Sequence, residues 1–155
     1  MKVSGAYTIP APRERAYALL QDPAVLAKCM PGCESLDKIG EDEYAMRMKM
    51  LLGSMSGLFE GKVKISDPHP PLTFRLMVTG AGKIGFMKGE GVLTLTPIED
   101  KTGVPQTSVQ YEGDVQVGGT IAVVGQRLID TTAKMLIKRF FETLSREAAT
   151  AAAAN

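Results

Sequence analysis

The last third of the chain restricts the fold more than any other part. From Gly118 to about Ala149 an amphipathic pattern runs with few strong breakers. Ile121, Val124, Leu128, Thr132, Met135, Leu136, Ile137, Phe140, Phe141 and Leu144 fall largely on one broad stripe. Gln126, Arg127, Asp130, Lys134, Lys138, Arg139 and Glu142 lie mostly off it. A helix of about 30 residues would be roughly 45 Å long. The segments before it alternate with a period of two and are rich in Met, Phe and Val. A helix with one apolar stripe and a sheet with one apolar face each need cover, and laying one across the other buries both. Such a grip leaves a cavity between them, and a cavity suits a small apolar ligand.

The earlier segments supply the rest of the order. Val3 to Ile9 alternates as a first strand, and Pro10-Ala11-Pro12 breaks it. A short helix follows through Ala16, Tyr17, Leu19 and Leu20. Asp22-Pro23 then reads as an N-cap and first-turn proline opening a second short helix through Val25 and Leu26. Met30-Pro31-Gly32-Cys33 is a turn. From Ser35 the period becomes two. Leu36–Ile39 is a short strand, and Tyr44, Met46, Met48 and Met50 share one face of the next. Phe59, Gly61, Val63 and Ile65 share a face, as do Phe74, Leu76 and Val78. Asp67-Pro68-His69-Pro70-Pro71 separates these two strands as a stiff loop. Phe86–Thr96 and Thr107–Val117 are two further strands, joined by the turn-rich stretch Pro97–Gln106. The reading is an α+β chain: one strand, two short helices, about six antiparallel strands and a long helix. Residues 1–147 form a single domain, and 148–155 an Ala-rich tail, frayed helix or linker.

Composition narrows the function. Lys+Arg is 18 and Asp+Glu is 17, a balance that makes no electrostatic case for a nucleic-acid binder. No apolar run approaches the roughly 18 residues that cross a bilayer. The N-terminal residues Met1 to Gly5 lack a signal-peptide stretch. Two cysteines, Cys29 and Cys33, suit a reducing cytoplasm.

Covalent catalysis has little to work with. His69 is the only histidine and sits among prolines in a predicted turn. Cys29 and Cys33 lack the further ligands a closed zinc site needs, and read as ordinary thiols. Glu60, Glu90, Glu112 and Asp114 are on strand faces assigned to solvent. Gly80-Ala81-Gly82 and Gly89-Glu90-Gly91 lack the spacing of a phosphate loop; as strand glycines they let the sheet curl. Arg47, Lys49, Lys62, Lys64 and Arg75 face outward, as charges on solvated sheets commonly do, and could meet an anionic partner or membrane surface.

The methionines are more telling. Of 9 in the chain, Met46, Met48, Met50 and Met55 crowd together. Methionine fills cores, but it is also over-used on adaptable binding surfaces. Phe59, Phe74 and Phe86 are expected on the same inner side. Aromatics are only 6% of the chain and Trp is absent, so large rings do not fill the interior. The expected ligand contacts are Met46, Met48, Phe59, Phe74, Leu76, Phe86, Tyr111, Val124, Leu128 and Met135, with Tyr111 a hydrogen-bond donor to a ligand carbonyl.

The chain also resembles a known family. Matching residues include Gly5, Tyr7 and Ile9, then Ala11-Pro12-Arg13-Glu14-Arg15-Ala16-Tyr17. The most specific are Leu20-Gln21-Asp22-Pro23 and Met30-Pro31-Gly32-Cys33-Glu34. Gly57-Leu58-Phe59-Glu60-Gly61-Lys62-Val63, Asp67-Pro68, Pro70-Pro71, Gly80-Ala81-Gly82 and Tyr111-Glu112-Gly113-Asp114-Val115 follow. Gly118-Gly119 and Gly125-Gln126-Arg127-Leu128 complete the set. With these residues the chain resembles the carbon monoxide dehydrogenase G-subunit family of the START/Bet v 1-like (SRPBCC) helix-grip superfamily. The resemblance implies a curved seven-stranded antiparallel sheet around a long C-terminal helix, with a ligand cavity between. It implies a non-catalytic accessory protein of a molybdenum hydroxylase, active in maturation, membrane recruitment or carriage of a quinone. It also implies no molybdenum, flavin or iron–sulfur cofactor. Some members carry an apolar C-terminal anchor. Here the sequence ends at Asn155 after an alanine run, and the expectation is transient membrane contact.

Three functional expectations follow. The first is a cytoplasmic binding module, peripheral at the inner face of the membrane, that holds a quinone or lipid for a partner oxidoreductase. The second is an interaction protein that binds the molybdenum enzyme or its assembly ATPase and whose cavity is incidental. The third is a cyclase or hydrolase, which would need a buried carboxylate of raised pKa facing the cavity.

Overall fold

A computed structural model describes residues 1–98 and 103–153. The elements are β1 (Lys2–Ile9), α1 (Arg13–Leu20), α2 (Pro23–Cys29), β2 (Cys33–Gly40), β3 (Glu43–Leu52), β4 (Met55–His69), β5 (Thr73–Gly82), β6 (Gly85–Ile98) and β7 (Gln106–Gly118). A 3-10 helix (Thr120–Val124) and α3 (Gln126–Ala153) complete the order. β2 to β7 form an antiparallel meander. β1 joins the free edge of β7, giving a seven-stranded sheet in the order β1-β7-β6-β5-β4-β3-β2. This is the expected helix-grip architecture, with α1 and α2 carrying the chain from one edge strand to the other.

Local chemistry places the short helices. Asp22 Oδ1 accepts a hydrogen bond from the Ala24 backbone N–H at 2.9 Å, and Pro23 occupies the first turn, where its missing N–H is not needed. The strands run longer than the alternation predicts. β2 begins at Cys33, and β4 continues through Asp67-Pro68 to His69 with a register shift after Ser66. The expected loop is thus confined to the turn that follows. Of the stretch Pro97–Gln106, residues 99–102 lie outside the described residues.

Met46, Met48, Met50 and Leu52 of β3, Phe59, Val63 and Ile65 of β4 and Phe74 of β5 are buried on the concave face. Ile129, Phe141, Leu144 and Ala148 of α3 are buried in the same core, where the helix packs on α2, β1 and β3. The helix continues past the fully buried Ala148 to Ala153. Glycines face each other across strands at two places. Gly61 pairs with Gly80, and Gly91 with Gly113. A Cβ at Gly61 would strike the Thr79 carbonyl oxygen, and one at Gly113 the Glu90 carbonyl oxygen. Strand backbones approach there more closely than side chains permit.

The C-terminal helix departs from expectation at its start. The amphipathic pattern from Gly118 is not one helix. The 3-10 turn ends at Gly125, whose φ of 97° favours glycine, and α3 starts afresh at Gln126. This resets the phase of the stripe. The inward positions of α3 are Ile129, Thr132, Ala133, Leu136, Ile137, Phe140, Phe141, Leu144 and Ala148, while Met135 is exposed.

Cys29 of α2 is 1% exposed, and burial pushes its thiol up to about 11, with Glu147 adding to the rise and Lys28 opposing it. The folded chain therefore holds a proton that the unfolded chain releases at lower pH. This contribution to stability is complete below pH 9.0 and is lost as pH climbs to about 11. Urea midpoints of the native protein should fall faster across that window than those of Cys29→Ala. Parallel losses in the two proteins would refute the assignment.

Candidate functional site

A partly open cavity of about 280 Å³ lies between the concave sheet and α3. β3, β4 and β5 supply Met48, Met50, Val63, Phe74, Leu76 and Val78. α3 supplies Ala133, Leu136, Ile137, Phe140 and Phe141. Leu20, Leu26, Met30 and Pro31 of the α1–α2 segment close one side. The wall toward β6 and β7 is different. Its inward positions are Met87, Gly89, Gly91, Leu93, Tyr111, Gly113 and Val115, and at the three glycines it is bare backbone. Glu90, Glu112 and Asp114 border the cavity there from positions whose side chains, by strand alternation, point to the convex face.

Aromatic rings form one end wall. Tyr7 and Phe141 stack with centroids 4.6 Å apart, and Tyr111 lies 5.7 Å from Phe141. Tyr111 fits because its cross-strand partner is Gly5, over which its ring lies. Burial, and secondarily Tyr7, raises the Tyr111 phenol, so it remains a hydrogen-bond donor at neutral pH. It is the one side-chain hydroxyl among the described cavity residues.

Of the residues expected at the site, Met48, Phe74, Leu76 and Tyr111 line the cavity. Met46 and Phe59 face inward but do not reach it, because they pack over Gly80: Met46 Cε and Phe59 Cβ lie 3.7 and 3.5 Å from where a Cβ would stand. Phe86 is a correction. It is 52% exposed on the convex face, where its ring covers Gly118. Val124 and Leu128 are half-buried near the hairpin tips, away from the cavity lining. Met135 is a further correction: it is 40% exposed, because α3 starts afresh after Gly125 and its inward stripe runs through Ala133, Leu136 and Ile137. The sequence reading missed the α1–α2 wall and the glycine wall. The parity of Leu93 and Leu95, run back along β6, would have placed Met87, Gly89 and Gly91 inward.

Among the described residues no acid–base pair faces this space. His69 is exposed at the end of β4, and neither cysteine lines the cavity. Asp114 is held below the usual carboxylate range by the N-terminal ammonium, which donates to it at 2.9 Å. No cluster of His, Cys, Asp or Glu among the described residues has the makings of a metal site. Among them, too, no helix is long and apolar enough to cross a membrane.

The geometry matches known proteins. A protein from Geobacillus kaustophilus of solved structure is 35% identical, with a TM-score of 0.89 over 97% of this chain and 96% of that one. A START superfamily protein from Mycobacterium smegmatis is 17% identical, with a TM-score of 0.70 over 96% of this chain and 97% of that one. The Zhui aromatase/cyclase from a Streptomyces species is 13% identical, with a TM-score of 0.63 over 96% and 93%. These last two share the START/Bet v 1-like fold. A search of curated proteins found no match. The family model for the G subunit of carbon monoxide dehydrogenase (CoxG) matches residues 5–149, and the chain belongs to that family.

Proposed function

We propose that the protein is a non-catalytic accessory protein of a molybdenum hydroxylase of the carbon monoxide dehydrogenase type, and that it carries a quinone or similar lipid in its cavity. The observation that carries this reading is the cavity wall: aliphatic, methionine, phenylalanine and glycine positions, with Tyr111 the one residue whose side chain bears a hydroxyl. Apolar pockets with few convergent polar groups suit apolar ligands that need one orienting hydrogen bond. A quinone ring presents such a carbonyl. At about 280 Å³ the cavity has room for a ring and the start of a tail, and its open side lets the rest of a long tail leave. A cyclase or hydrolase reading lacks the acid–base group it needs in this space.

Organic extraction of natively expressed protein, followed by mass spectrometry, tests the proposal. Near-stoichiometric quinone or lipid is the expected result. An empty extract, with no rise in Tm on adding short-chain quinones, would remove the carrier reading. A stable complex with the hydroxylase in that case would leave a docking or maturation role, in which the cavity is incidental.

A further inference from the structure

The two edges of the sheet are built differently. β2 forms one of them and carries two register shifts, between Cys33 and Ser35 and between Lys38 and Gly40. Glu34, Asp37 and Lys38 are exposed along it. Bulges and charges of this kind keep an edge strand from pairing with another chain. β1 forms the other edge with little of either. It pairs with β7 in one unbroken register from Lys2↔Asp114 to Ile9↔Thr107. Lys2 is the one charged side chain among its 8 residues.

One residue pair fixes where the backbone groups of β1 point. Met1 and Val115 exchange both backbone hydrogen bonds, at 3.0 and 2.8 Å. In an antiparallel ladder such exchanges recur at every second residue, so Val3, Gly5, Tyr7 and Ile9 bond to β7. The N–H and C=O groups of Lys2, Ser4, Ala6 and Thr8 point the other way. Among the described residues no backbone group meets them, and all four residues are exposed. The edge thus offers donors and acceptors in alternation to a further strand. An open groove of about 300 Å³ lies beside it, between Tyr7 and Thr8 of the strand and Phe141, Ser145 and Arg146 of α3.

We propose that a second copy of this chain pairs with β1 through its own β1, antiparallel about a two-fold axis at Gly5, so that the sheet continues across a dimer. The strand is self-complementary in this register. Ser4 lies opposite Ala6 of the partner subunit, and Lys2 opposite Thr8 of the partner subunit. Every free N–H then meets a free C=O, and no like charges face each other. A register centred on Ser4 would leave Thr8 unpaired, and one centred on Ala6 would leave Lys2 unpaired. At the axis Gly5 faces its own copy, so no side chains collide there. Tyr7 lies opposite the partner's Val3 on the concave side, where the groove beside Phe141 gives it room. A patch that meets its own copy closes the assembly at two subunits. The Tyr111 ring lies over Gly5, so the aromatic end walls of the two cavities adjoin across the axis. The interface itself does not depend on what the cavity holds.

Sedimentation equilibrium of the full chain tests it. The native protein should show a reversible monomer–dimer equilibrium. S4K/A6K would set two pairs of like charges across the axis, and should raise the dimer dissociation constant roughly thirtyfold. S4K/A6E would set opposite charges at the same two places, and should dimerise at least as tightly as the native chain. In the monomer both positions face solvent across from Glu112 and Gln110, so the circular dichroism of either variant should be native. A6P removes an N–H that β7 does not use, and should weaken the dimer by a second route. D37K, on the β2 edge, should leave it intact. A native chain that stays monomeric at every concentration would overturn the proposal and leave this edge to a strand of some other protein. Equal weakening by S4K/A6K and S4K/A6E would overturn the register, and with it the axis at Gly5. A native dimer that both S4K/A6K and A6P leave unchanged, or that D37K dissociates, would place the interface elsewhere and overturn the proposal as well.

Discussion

Gly61→Ala is expected to cost at least ~4 kcal/mol, placing it in the exceptional tail of single substitutions. A Cβ at this position would overlap the Thr79 carbonyl oxygen and crowd Gly80 Cα. Both are backbone atoms of the hydrogen-bonded neighbour, so no rotamer change relieves the clash. β4 and β5 would have to part at the Gly61–Gly80 pair, and ladder hydrogen bonds on either side of Gly61 would lengthen. A domain of this kind has about 5–15 kcal/mol in total, so a loss of this size leaves a small margin. Gly80→Ala is the control. Its Cβ would meet only side-chain atoms of Phe59, Met87 and Met46 at 3.5–3.7 Å, ordinary contact distances. It should stay within ~1 kcal/mol of the native chain. Denaturant midpoints decide the matter, and a Gly61→Ala protein that unfolds with the Gly80→Ala protein would refute the close approach of β4 and β5 at Gly61.

The same chemistry decides what could be read without coordinates. β3 was legible because every inward position from Tyr44 to Leu52 is large and apolar, and every one of them is buried. β6 was not. Its inward side is large and apolar at Leu93 and Leu95 but passes through Gly89 and Gly91 before Met87, and the glycine gap let Phe86, on the other face, be taken for an inward residue. The cavity exists where side chains are missing, and periodicity detects only side chains that are present. Helix α3 was expected and is present, but its start and phase were misread. Its apolar residues were identified, but Gly125 turns the chain between Val124 and Gln126, and a stripe phased on Ile121 and Val124 selects Met135 over Ala133. Leu20, Leu26 and Met30 reach the cavity from a segment remote in sequence. Alternation assigns a residue to a face of its own element and is silent about which element it will meet. Met46 and Phe59 mark the last gap between pattern and site: facing inward is set by parity, but core or cavity is set by whether a neighbouring glycine needs cover.

Gly89→Leu should then separate stability from binding, with opposite signs. Gly89 faces the cavity, and a Cβ there would meet only Val115 Cγ2 at 3.8 Å and the Asp114 carbonyl oxygen at 3.9 Å. The added side chain extends into the apolar space instead of against backbone. Removing a strand glycine alone returns about 0.5–1 kcal/mol. Burying a leucine side chain adds up to roughly 1.5–3 kcal/mol where the cavity accepts it without displacing neighbours. The unliganded variant should therefore melt above the unliganded native protein. Its ligand loses the same volume, and quinone or lipid affinity should fall by on the order of a hundredfold, as overpacking of about 3 kcal/mol dictates. Tm measured without ligand, and the amount of cargo extracted per protein, give the two readouts. A variant that is stabilised yet extracts its full cargo would place the ligand elsewhere than this cavity. A destabilised variant would mean that the wall between β6 and β7 has no room for a side chain, and that the opening seen beside Gly89 does not accept apolar groups.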